Sequence, residues 1–303
     1  MNQIFKGLIT AIITPFKDDK IDFISLRKIL EHQIEHNVDG VVLAGSTGEG
    51  NSLDIEEYKL LIKNAVEIVK QRIPVIAGCC AISTSSTIRL AQIAAEGRAD
   101  GLMCTVPPYV KPTQEGLYRH FQAIHDATNL PIILYSAPGR ASSDFTNDTI
   151  LRLSELPRII ALKDGNNDLD RLFRLKAKLP KHFNMMAGND YLNLVYNSQG
   201  GAGCISVASN IVPQLCKKIQ DNWKNGNLTD ALKIDMQLLT LYKALFVESN
   251  PIPVKYAVHY LGLCFNELRL PLTEAQNTTK EQIEQAIKDV MSLKQELRVI
   301  SKI

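Results

Sequence analysis

The segment IIALKDG, at residues 159–165, is a short apolar run that ends in a lysine, an acidic residue and a glycine. Seven other runs along the chain have the same character, being nearly continuously hydrophobic and bounded by Gly, Ser, Pro or charged residues. Such runs are typical of parallel strands that are covered on both faces. The eight predicted strands are Gly7 to Pro15, Val38 to Gly45, Pro74 to Gly78, Gly101 to Val106, Pro131 to Ser136, Ile159 to Lys163, Asn184 to Gly188 and Ala202 to Val207.

Helical patterns separate these runs. After Asp54, which stands three residues before Glu57 as in a capping box, apolar residues recur on one face of a predicted helix. No GxGxxG or GxxxxGK[ST] motif follows any run, so a dinucleotide-binding or P-loop sheet loses its best support. Eight strand–helix units within about 210 residues therefore favour an α/β fold of the (β/α)8 TIM-barrel class.

The strand pattern stops near residue 225. Three helices are predicted beyond it, at Leu228 to Phe246, Pro251 to Leu261 and Thr279 to Val299. We therefore predict a barrel catalytic domain over residues 1–226 and a C-terminal helical domain over residues 227–303. No stretch rich in Gly, Ser or Pro separates the two, so the helices are expected to pack on the barrel or on a neighbouring subunit.

Composition limits the class of partner. The chain has 34 basic and 32 acidic residues, and no run of Lys and Arg indicates binding to nucleic acid or to a membrane surface. No apolar stretch reaches the length of about 18 residues that a membrane span requires, and the N-terminal segment lacks the order of a signal peptide. The six cysteines show no CxxC spacing. These features predict a small-molecule partner and a cytoplasmic location.

Polar residues collect where the predicted strands end. In barrels of this class, reactive groups lie at the C-terminal ends of the strands and in the loops that follow. The rule therefore predicts that residues far apart in the sequence lie together at one rim of the barrel. They are Ser46, Thr47 and Glu49 after the second run, Tyr109 after the fourth, Tyr135 in the fifth, Lys163 in the sixth, Asn189 and Asp190 after the seventh, and Ser206 in the eighth.

Lys163 is the most informative of these residues. Burial among apolar neighbours disfavours the charged form of an amine, by up to about 3 to 5 pKa units when burial is complete. A neutral amine attacks a 2-oxo acid to form an imine, and the adjacent methyl group can then lose a proton and attack an aldehyde as an enamine. This chemistry needs neither a metal nor an organic cofactor. The alternative is a structural lysine that pairs with Asp164 or a loop carboxylate.

The hydroxyl groups of Tyr135, Tyr109 and Ser46 are suited to relaying protons to and from the imine. Taken singly, a tyrosine at a strand end is more often a packing residue. The turn GSTGEG, at residues 45–50, offers backbone N–H groups and two hydroxyls. It could bind a carboxylate or a phosphate, or it could be a tight turn without a ligand.

His32, Glu35 and His36 spell H-x-x-E-H, the inverted zinc-peptidase pattern. On a helical wheel, however, Leu26, Ile29, Leu30 and Gln33 form the packing face, and the histidines lie on the polar flank. The helix follows the first strand, so it should lie outside the barrel and away from the rim. Surface histidines are the preferred interpretation, and a metallohydrolase that loses activity with a chelator is the rival hypothesis.

Several motifs resemble those of the dihydrodipicolinate synthase and N-acetylneuraminate lyase family. They occur in family order over about residues 5 to 275, and they are GSTGEG, PPYVKPTQEGLY, ILYSAPGR, ALKDG, GGAGCISV and FVESNPIPVK. The resemblance implies a (β/α)8 barrel with a C-terminal helical domain. It also implies a homotetramer built as a dimer of dimers.

The resemblance implies roles for individual residues. Lys163 falls on the family's Schiff-base lysine, and Tyr135 falls on its proton-relay tyrosine. Ser46 and Thr47 fall on the motif that handles the carboxylate of pyruvate and the proton relay. Tyr109 falls, by a count without gaps, on a tyrosine that reaches into the neighbouring subunit's site, although Pro108 stands where the family has another tyrosine.

Arg140 decides among the family's substrates. It lies two residues after Pro138, where the synthases carry an arginine that binds the carboxylate of L-aspartate 4-semialdehyde. The resemblance thus implies a lyase that makes 4-hydroxy-tetrahydrodipicolinate from pyruvate and this aldehyde in lysine and diaminopimelate biosynthesis. Ser136 and the KDG segment differ from the usual Asn and KEA of the synthases. Thr47, Arg140, Gly188, Asn189 and Ile205 are the predicted substrate-binding residues.

Three other hypotheses stay open beside the metalloenzyme. An N-acetylneuraminate lyase would cleave that sugar acid in a simple assay. Another pyruvate-dependent aldolase of the family would accept a different aldehyde. A barrel used for binding alone would not be reduced onto pyruvate by borohydride.

Overall fold

Eight parallel strands close into a barrel in the computed structural model, which describes residues 5–300 and the side chains of residues 5–292. The strands follow one another around the barrel in chain order, and the first pairs with the last. This confirms the predicted (β/α)8 fold with helices around the barrel and beyond it. The strands are Gly7–Ala11, Gly40–Leu43, Val75–Cys79, Gly101–Thr105, Ile132–Ser136, Ile159–Asp164, Asn184–Ala187 and Gly203–Ser206.

The first two strands are each about four residues shorter than predicted, and the others agree with their predicted bounds to within one residue at either end. The first ends at Ala11, and the segment up to Pro15 leads instead into a small hairpin, Phe16–Lys17 with Lys20–Ile21, that the sequence analysis did not predict. The second ends at Leu43 because Ala44 has a φ of 52°, a left-handed conformation that cannot continue a strand. This early end begins the turn that carries Ser46 and Thr47.

Helices alternate with the strands around the barrel. The predicted capping box is confirmed, since Asp54 accepts from the backbone of Glu57 and the Glu57 carboxylate accepts from the backbone of Asp54. The longer helices between the strands are Phe23–Glu35, Ile55–Val69, Thr84–Glu96, Gln114–Ala127, Asn147–Ser154, Leu169–Lys176 and Pro213–Lys224, and the shorter ones are Pro138–Ala141 and Asn193–Ser198. Three-residue 3-10 turns lie at Gly50–Ser52, Asp190–Leu192 and Ala208–Asn210.

Three helices follow the barrel, at Leu228–Ala244, Ile252–Tyr260 and Asn277–Ile300, within two residues of the predicted bounds. Their buried residues join the core between the strands and the surrounding helices, as Leu238 and Val254 do. The division at residue 226 stays a prediction, and residues 1–4 and 301–303 of the two predicted domains lie outside the described residues. Among the helices described, none is long and apolar enough to cross a membrane.

The barrel interior holds its own apolar cluster, which includes Ile9, Met103, Ile133, Tyr135 and Ile205. Tyr135 and Lys163 are direct register partners on the fifth and sixth strands, as are Ser136 and Asp164. Parallel register therefore brings the two predicted catalytic side chains together at the carboxyl end of the barrel.

Candidate active site

A cavity of about 140 Å³ opens at the carboxyl ends of the strands. Apolar cavities of roughly 150 Å³ hold molecules the size of benzene, so this one is matched to a small acid such as a three-carbon oxo acid. Seven predicted site residues line the cavity, and they are Ser46, Thr47, Tyr135, Arg140, Lys163, Gly188 and Asn189. The end-of-strand rule thus assembled most of the site from the sequence.

Lys163 is buried, with 4 % of its surface exposed, and its Nζ lies 4.4 Å from the centroid of the Tyr135 ring. Among the described side chains Lys163 forms no ion pair, whereas the neighbouring carboxylate of Asp164 faces Arg171, with 3.8 Å between Oδ2 and Nε. If Lys163 were a structural lysine paired with Asp164, its amine would lie against that carboxylate in place of Arg171. The geometry favours an amine kept available in the cavity.

The turn after the second strand presents Ser46 and Thr47. Gly50 is required at its end, because a Cβ there would lie 1.9 Å from the carbonyl oxygen of Ala44. The Thr14 hydroxyl donates to the carbonyl of Gly48 at 2.6 Å and holds the turn from the first strand's loop. These two features fix the backbone of the turn and thereby the positions of Ser46 and Thr47.

Arg140 lies at the mouth of the cavity on the short helix Pro138–Ala141. Its side chain is exposed, and its Nη2 donates to the carbonyl of Asn250 at 2.8 Å. It also lines a larger outer cleft of about 820 Å³ together with Ser46 and Asn250. A guanidinium in this place can bind a carboxylate of a second substrate that enters through the cleft.

Two predicted site residues do not line the cavity. Ile205 is fully buried in the apolar cluster of the barrel interior, beside the cavity-lining residues Tyr135 and Met103. Tyr109 is 86 % exposed and has a φ of 73°. Because the resemblance assigns Tyr109 to a neighbouring subunit's site, its role stays a prediction.

Asn250 is a site residue for which the sequence analysis gave no role. It lies in the NPIPVK motif. Its Nδ2 donates to Thr47 Oγ1 at 3.0 Å, and its backbone carbonyl oxygen accepts a hydrogen bond from Arg140 Nη2 at 2.8 Å. It therefore links the turn at residues 45–50 to Arg140. Asn250 and Thr47 are 203 residues apart, so no spacing in the sequence indicates this contact.

Asp190 is a second such residue, and it is buried beneath the rim. It accepts from the Ser206 hydroxyl at 2.5 Å and from the backbone amides of Val207 and Ala208 at 3.0 and 3.2 Å. Burial raises the pKa of Asp190, while these hydrogen bonds and the charge of Lys163 act in the opposite direction. The carboxyl group therefore lies within electrostatic reach of the amine of Lys163.

Two of the three departures from the family's motifs, at Ser136 and at Asp164 of the KDG segment, belong to one cluster around Arg171. The Ser136 hydroxyl donates to Asp144 Oδ1 at 2.7 Å, and Arg171 Nη1 donates to Asp144 Oδ2 at 2.5 Å. Asp164, of the KDG segment, faces the same arginine. Neither Ser136 nor Asp164 lines the cavity, whereas Gly165 of the same KDG segment does.

The H-x-x-E-H helix, Phe23–Glu35, lies outside the barrel. The predicted packing face is confirmed, since Leu26, Ile29, Leu30 and Gln33 are buried. The ring of His36 bonds to the carbonyl of His32 at 2.8 Å, and the two rings are 4.5 Å apart. In the part of the chain that the structure describes, no three His, Cys, Asp or Glu side chains are grouped to bind a metal ion.

Asp235 supports a prediction about pH, since its carboxyl lies on the helix Leu228–Ala244 near Asp190 and accepts from Tyr242 at 3.1 Å. Burial raises the pKa of Asp235 from 3.8 to about 6, and the charge of Asp190 adds to this. Between these two values the folded state binds more protons than the unfolded state, so stability falls as pH rises. We expect Asp235→Asn to raise the free energy of unfolding at pH 7 by about 1 to 3 kcal/mol.

Denaturant unfolding between pH 4 and pH 8 measures this effect. The gain should shrink below pH 6 and vanish near pH 4. As a control, Asp230→Asn on the exposed face of the same helix should change the free energy of unfolding by less than about 0.5 kcal/mol. A variant at Asp235 that is less stable than the parent protein at pH 7 would contradict the assigned desolvation.

The fold and the cavity together define a class of protein: a (β/α)8 barrel with a buried lysine at the end of its sixth strand, beside a strand-end tyrosine. The chain belongs to the dihydrodipicolinate synthetase family, whose model matches residues 4–290. This confirms the family resemblance of the motifs.

Individual relatives agree with this assignment. The 4-hydroxy-tetrahydrodipicolinate synthase of Rickettsia bellii (strain RML369-C) is 60% identical over 287 residues, which cover 95% of this chain and 98% of that protein. The structure of the 4-hydroxy-tetrahydrodipicolinate synthase from Methylacidiphilum fumariolicum SolV superposes with a TM-score of 0.93 at 38% identity, covering 95% and 96% of the two chains. A dihydrodipicolinate synthase structure from Aquifex aeolicus gives 0.92 at 37% identity, covering 94% and 97%.

Proposed function

We propose that this protein condenses pyruvate with L-aspartate 4-semialdehyde, through a Schiff base on Lys163, to form 4-hydroxy-tetrahydrodipicolinate. The observation that carries the proposal is the setting of Lys163, a buried amine in a small cavity with Tyr135 beside it and Arg140 at the mouth. The relatives described above carry the name of this synthase, which supports the same substrates.

The reaction begins with pyruvate in the cavity. The Nζ of Lys163 attacks the oxo carbon, and the resulting carbinolamine loses water to form an imine. Tyr135, Ser46 and Tyr109 of a neighbouring subunit move the protons, and Thr47 with the adjacent backbone holds the pyruvate carboxylate. Gly188 and Asn189 complete the contacts around this substrate, and Ile205 packs beside the cavity-lining Tyr135.

The second half of the reaction uses the aldehyde. The methyl group of the imine loses a proton, and the enamine carbon forms a bond to the aldehyde carbon of the semialdehyde. The amino group of that substrate then attacks the imine carbon, closes the ring and displaces the Nζ of Lys163. Arg140 binds the carboxylate of the semialdehyde throughout, which fixes the aldehyde near the enamine.

The test is an assay of the purified protein with pyruvate and L-aspartate 4-semialdehyde, in which both substrates and the cyclic product are followed by mass spectrometry. Matched incubations contain N-acetylneuraminate alone, or pyruvate with an aldehyde that lacks the carboxylate. We expect turnover with the semialdehyde and none with the sugar acid. Cleavage of N-acetylneuraminate at a comparable rate would overturn the proposal.

Arg140→Gln tests the choice of the second substrate. Loss of a charged hydrogen bond to a carboxylate should raise the KM for L-aspartate 4-semialdehyde by about 10- to 100-fold. The KM for pyruvate should change little, because that substrate is bound on the other side of the cavity. Steady-state kinetics with each substrate varied in turn measure both values.

Arg174→Gln is the matched control, because Arg174 is exposed and pairs with Asp170 on the barrel's outer surface. It should leave both KM values as they are in the parent protein. An equal rise in the two KM values of Arg140→Gln would show a general disturbance of the cavity and would contradict the assignment.

We also propose a homotetramer and a cytoplasmic location. The exposure of Tyr109 and of Val110, which is 50 % exposed, supports an assembly in which this loop enters another subunit. The six cysteines are free, and five of them are buried, which supports a reducing compartment. Sedimentation of the purified protein tests the assembly.

A further inference from the structure

Lys255 and Glu49 form an ion pair that is completely buried. Their side chains are 0 % exposed, and 2.7 Å separates Lys255 Nζ from Glu49 Oε1. Taking two charges out of water costs several kcal/mol per ion, and replacement of such a pair by apolar residues is often neutral or stabilising. Stability alone therefore gives a poor account of this pair, and its neighbours indicate another use.

Lys255 joins three separate parts of the chain. Besides contacting Glu49, its ammonium group donates to the carbonyl of Thr14 at 2.7 Å and to the carbonyl of Glu267 at 2.9 Å. It also lies 4.6 Å from the centroid of the Phe16 ring. The loops after the first and second strands are thereby tied to the C-terminal region at one point.

Glu49 belongs to the turn that carries the site hydroxyls. It stands three residues after Ser46, its amide donates to the Ser46 carbonyl at 3.3 Å, and its φ of 50° is left-handed. The second carboxylate oxygen of Glu49 accepts from the backbone amide of Arg269 at 3.1 Å. Both carboxylate oxygens of Glu49 are thus bound by residues that follow the barrel in the sequence. The C-terminal region therefore fixes the end of this turn.

The segment from Asn250 to Lys255 contacts the site at both of its ends. At the first end, Asn250 donates a hydrogen bond to Thr47 Oγ1 and accepts one from Arg140. At the other end, Lys255 forms the ion pair with Glu49. Thr47 and Glu49 are two residues apart on the same turn. A displacement of this segment would therefore move the turn and the arginine together.

We propose that Lys255 and Glu49 are positioning residues, which make the C-terminal region a support for the turn that bears Ser46 and Thr47. Neither residue lines the cavity around Lys163, and although Glu49 borders the outer cleft, its side chain is 0 % exposed, so the effect of the pair on the reaction passes through the turn. The inference rests on the proposed function, because that reaction assigns the proton relay and the pyruvate carboxylate to this turn.

The test compares three variants: Lys255→Met, Glu49→Gln and the double variant Glu49→Leu with Lys255→Met. Each single change should lower kcat by about 10- to 100-fold, as expected for a small misplacement of reacting groups. Each should also lower the Tm, because one charge is left buried without its partner. The double variant removes both charges, so its Tm should return toward that of the parent protein while its kcat stays low.

This difference between Tm and kcat separates positioning from a merely structural role. If the pair acted on stability alone, kcat would recover together with the Tm in the double variant, and the proposal would be overturned. Should the double variant not fold, Glu49→Gln, which keeps the side chain's volume, carries the same expectation for kcat. An undiminished kcat in that folded variant would equally overturn the proposal.

Lys217→Met is the matched control. Lys217 pairs with Asp39 at 2.9 Å, and Asp39 bonds to the amide of Leu8 near the start of the first strand, at the opposite end of the barrel. This variant should lower the Tm and leave kcat unchanged. If the parent protein itself shows no condensation of pyruvate with the semialdehyde, the proposed function fails, whereas an active parent with fully active variants refutes the inference about Lys255.

Discussion

Lys163→Ala is expected to abolish turnover, lowering kcat by about 10³-fold or more, because it removes the amine that the proposed mechanism uses to form the covalent intermediate. The variant should remain folded. Lys163 forms no ion pair among the described side chains, and removal of its aliphatic stem leaves a cavity that already opens to solvent through the outer cleft. Turnover of pyruvate and the semialdehyde, with thermal unfolding recorded on the same sample, measures the effect.

Lys176→Ala provides the control for this change, since Lys176 is exposed on the helix Leu169–Lys176. It should retain the kcat of the parent protein. A Lys163→Ala protein that turned over within a factor of about 10 of the parent would exclude covalent catalysis at this position.

Tyr135→Phe is expected to lower kcat by about 10²- to 10⁴-fold, the usual contribution of one proton-transferring group. Phenylalanine retains the ring that lies 4.4 Å from Lys163 Nζ, so the packing of the amine is preserved and the hydroxyl alone is removed. The loss should be seen in the rate at which pyruvate forms the imine, measured by rapid mixing and borohydride quenching.

A matched control for Tyr135→Phe is Tyr118→Phe. The Tyr118 ring stacks under Arg152, 4.0 Å from its guanidinium carbon, on the outer helix Gln114–Ala127. Its loss of a hydroxyl should leave the rate of imine formation unchanged. Equal rates in the Tyr135→Phe variant and the parent protein would remove Tyr135 from the proton relay.

The local parts of the fold could be predicted from the sequence. Continuous apolar runs marked all eight strands, and the reciprocal bonding of Asp54 and Glu57 began a helix where expected. These signals are local, because strand burial and helix capping depend on residues that are near one another in the chain. The predicted end of the second strand, Gly45, is two residues too late, because no sequence pattern indicates that Ala44 adopts a left-handed conformation.

The candidate site could be predicted as far as the end-of-strand rule extends. Lys163 and Tyr135 are the penultimate residues of their strands and Ser46 lies in the turn after the second strand, so closure of the barrel brings them together at one end. The rule does not distinguish side chains that line the cavity from those beneath it. Ile205 was for this reason grouped with the substrate-binding residues, although it packs inside the barrel.

The contacts made by the C-terminal region could not be predicted. Asn250 and Lys255 reach the turn at residues 45–50 from beyond the barrel, and the geometry of such long-range pairs is set by the packing of the helices. The NPIPVK motif is part of the family resemblance, but the sequence alone gives no physical reason for it. The structure supplies that reason in the bonds of Asn250 to Thr47 and of Lys255 to Glu49.

Borohydride reduction in the presence of pyruvate, followed by peptide mass spectrometry, tests the central claim most directly. We predict a single N-(1-carboxyethyl) adduct on the peptide that contains Lys163, which disappears when borohydride is omitted or when Lys163 is changed to alanine. Prior addition of L-aspartate 4-semialdehyde should decrease the adduct as the imine is consumed. An unmodified Lys163 peptide from a protein that still makes the product would contradict the account.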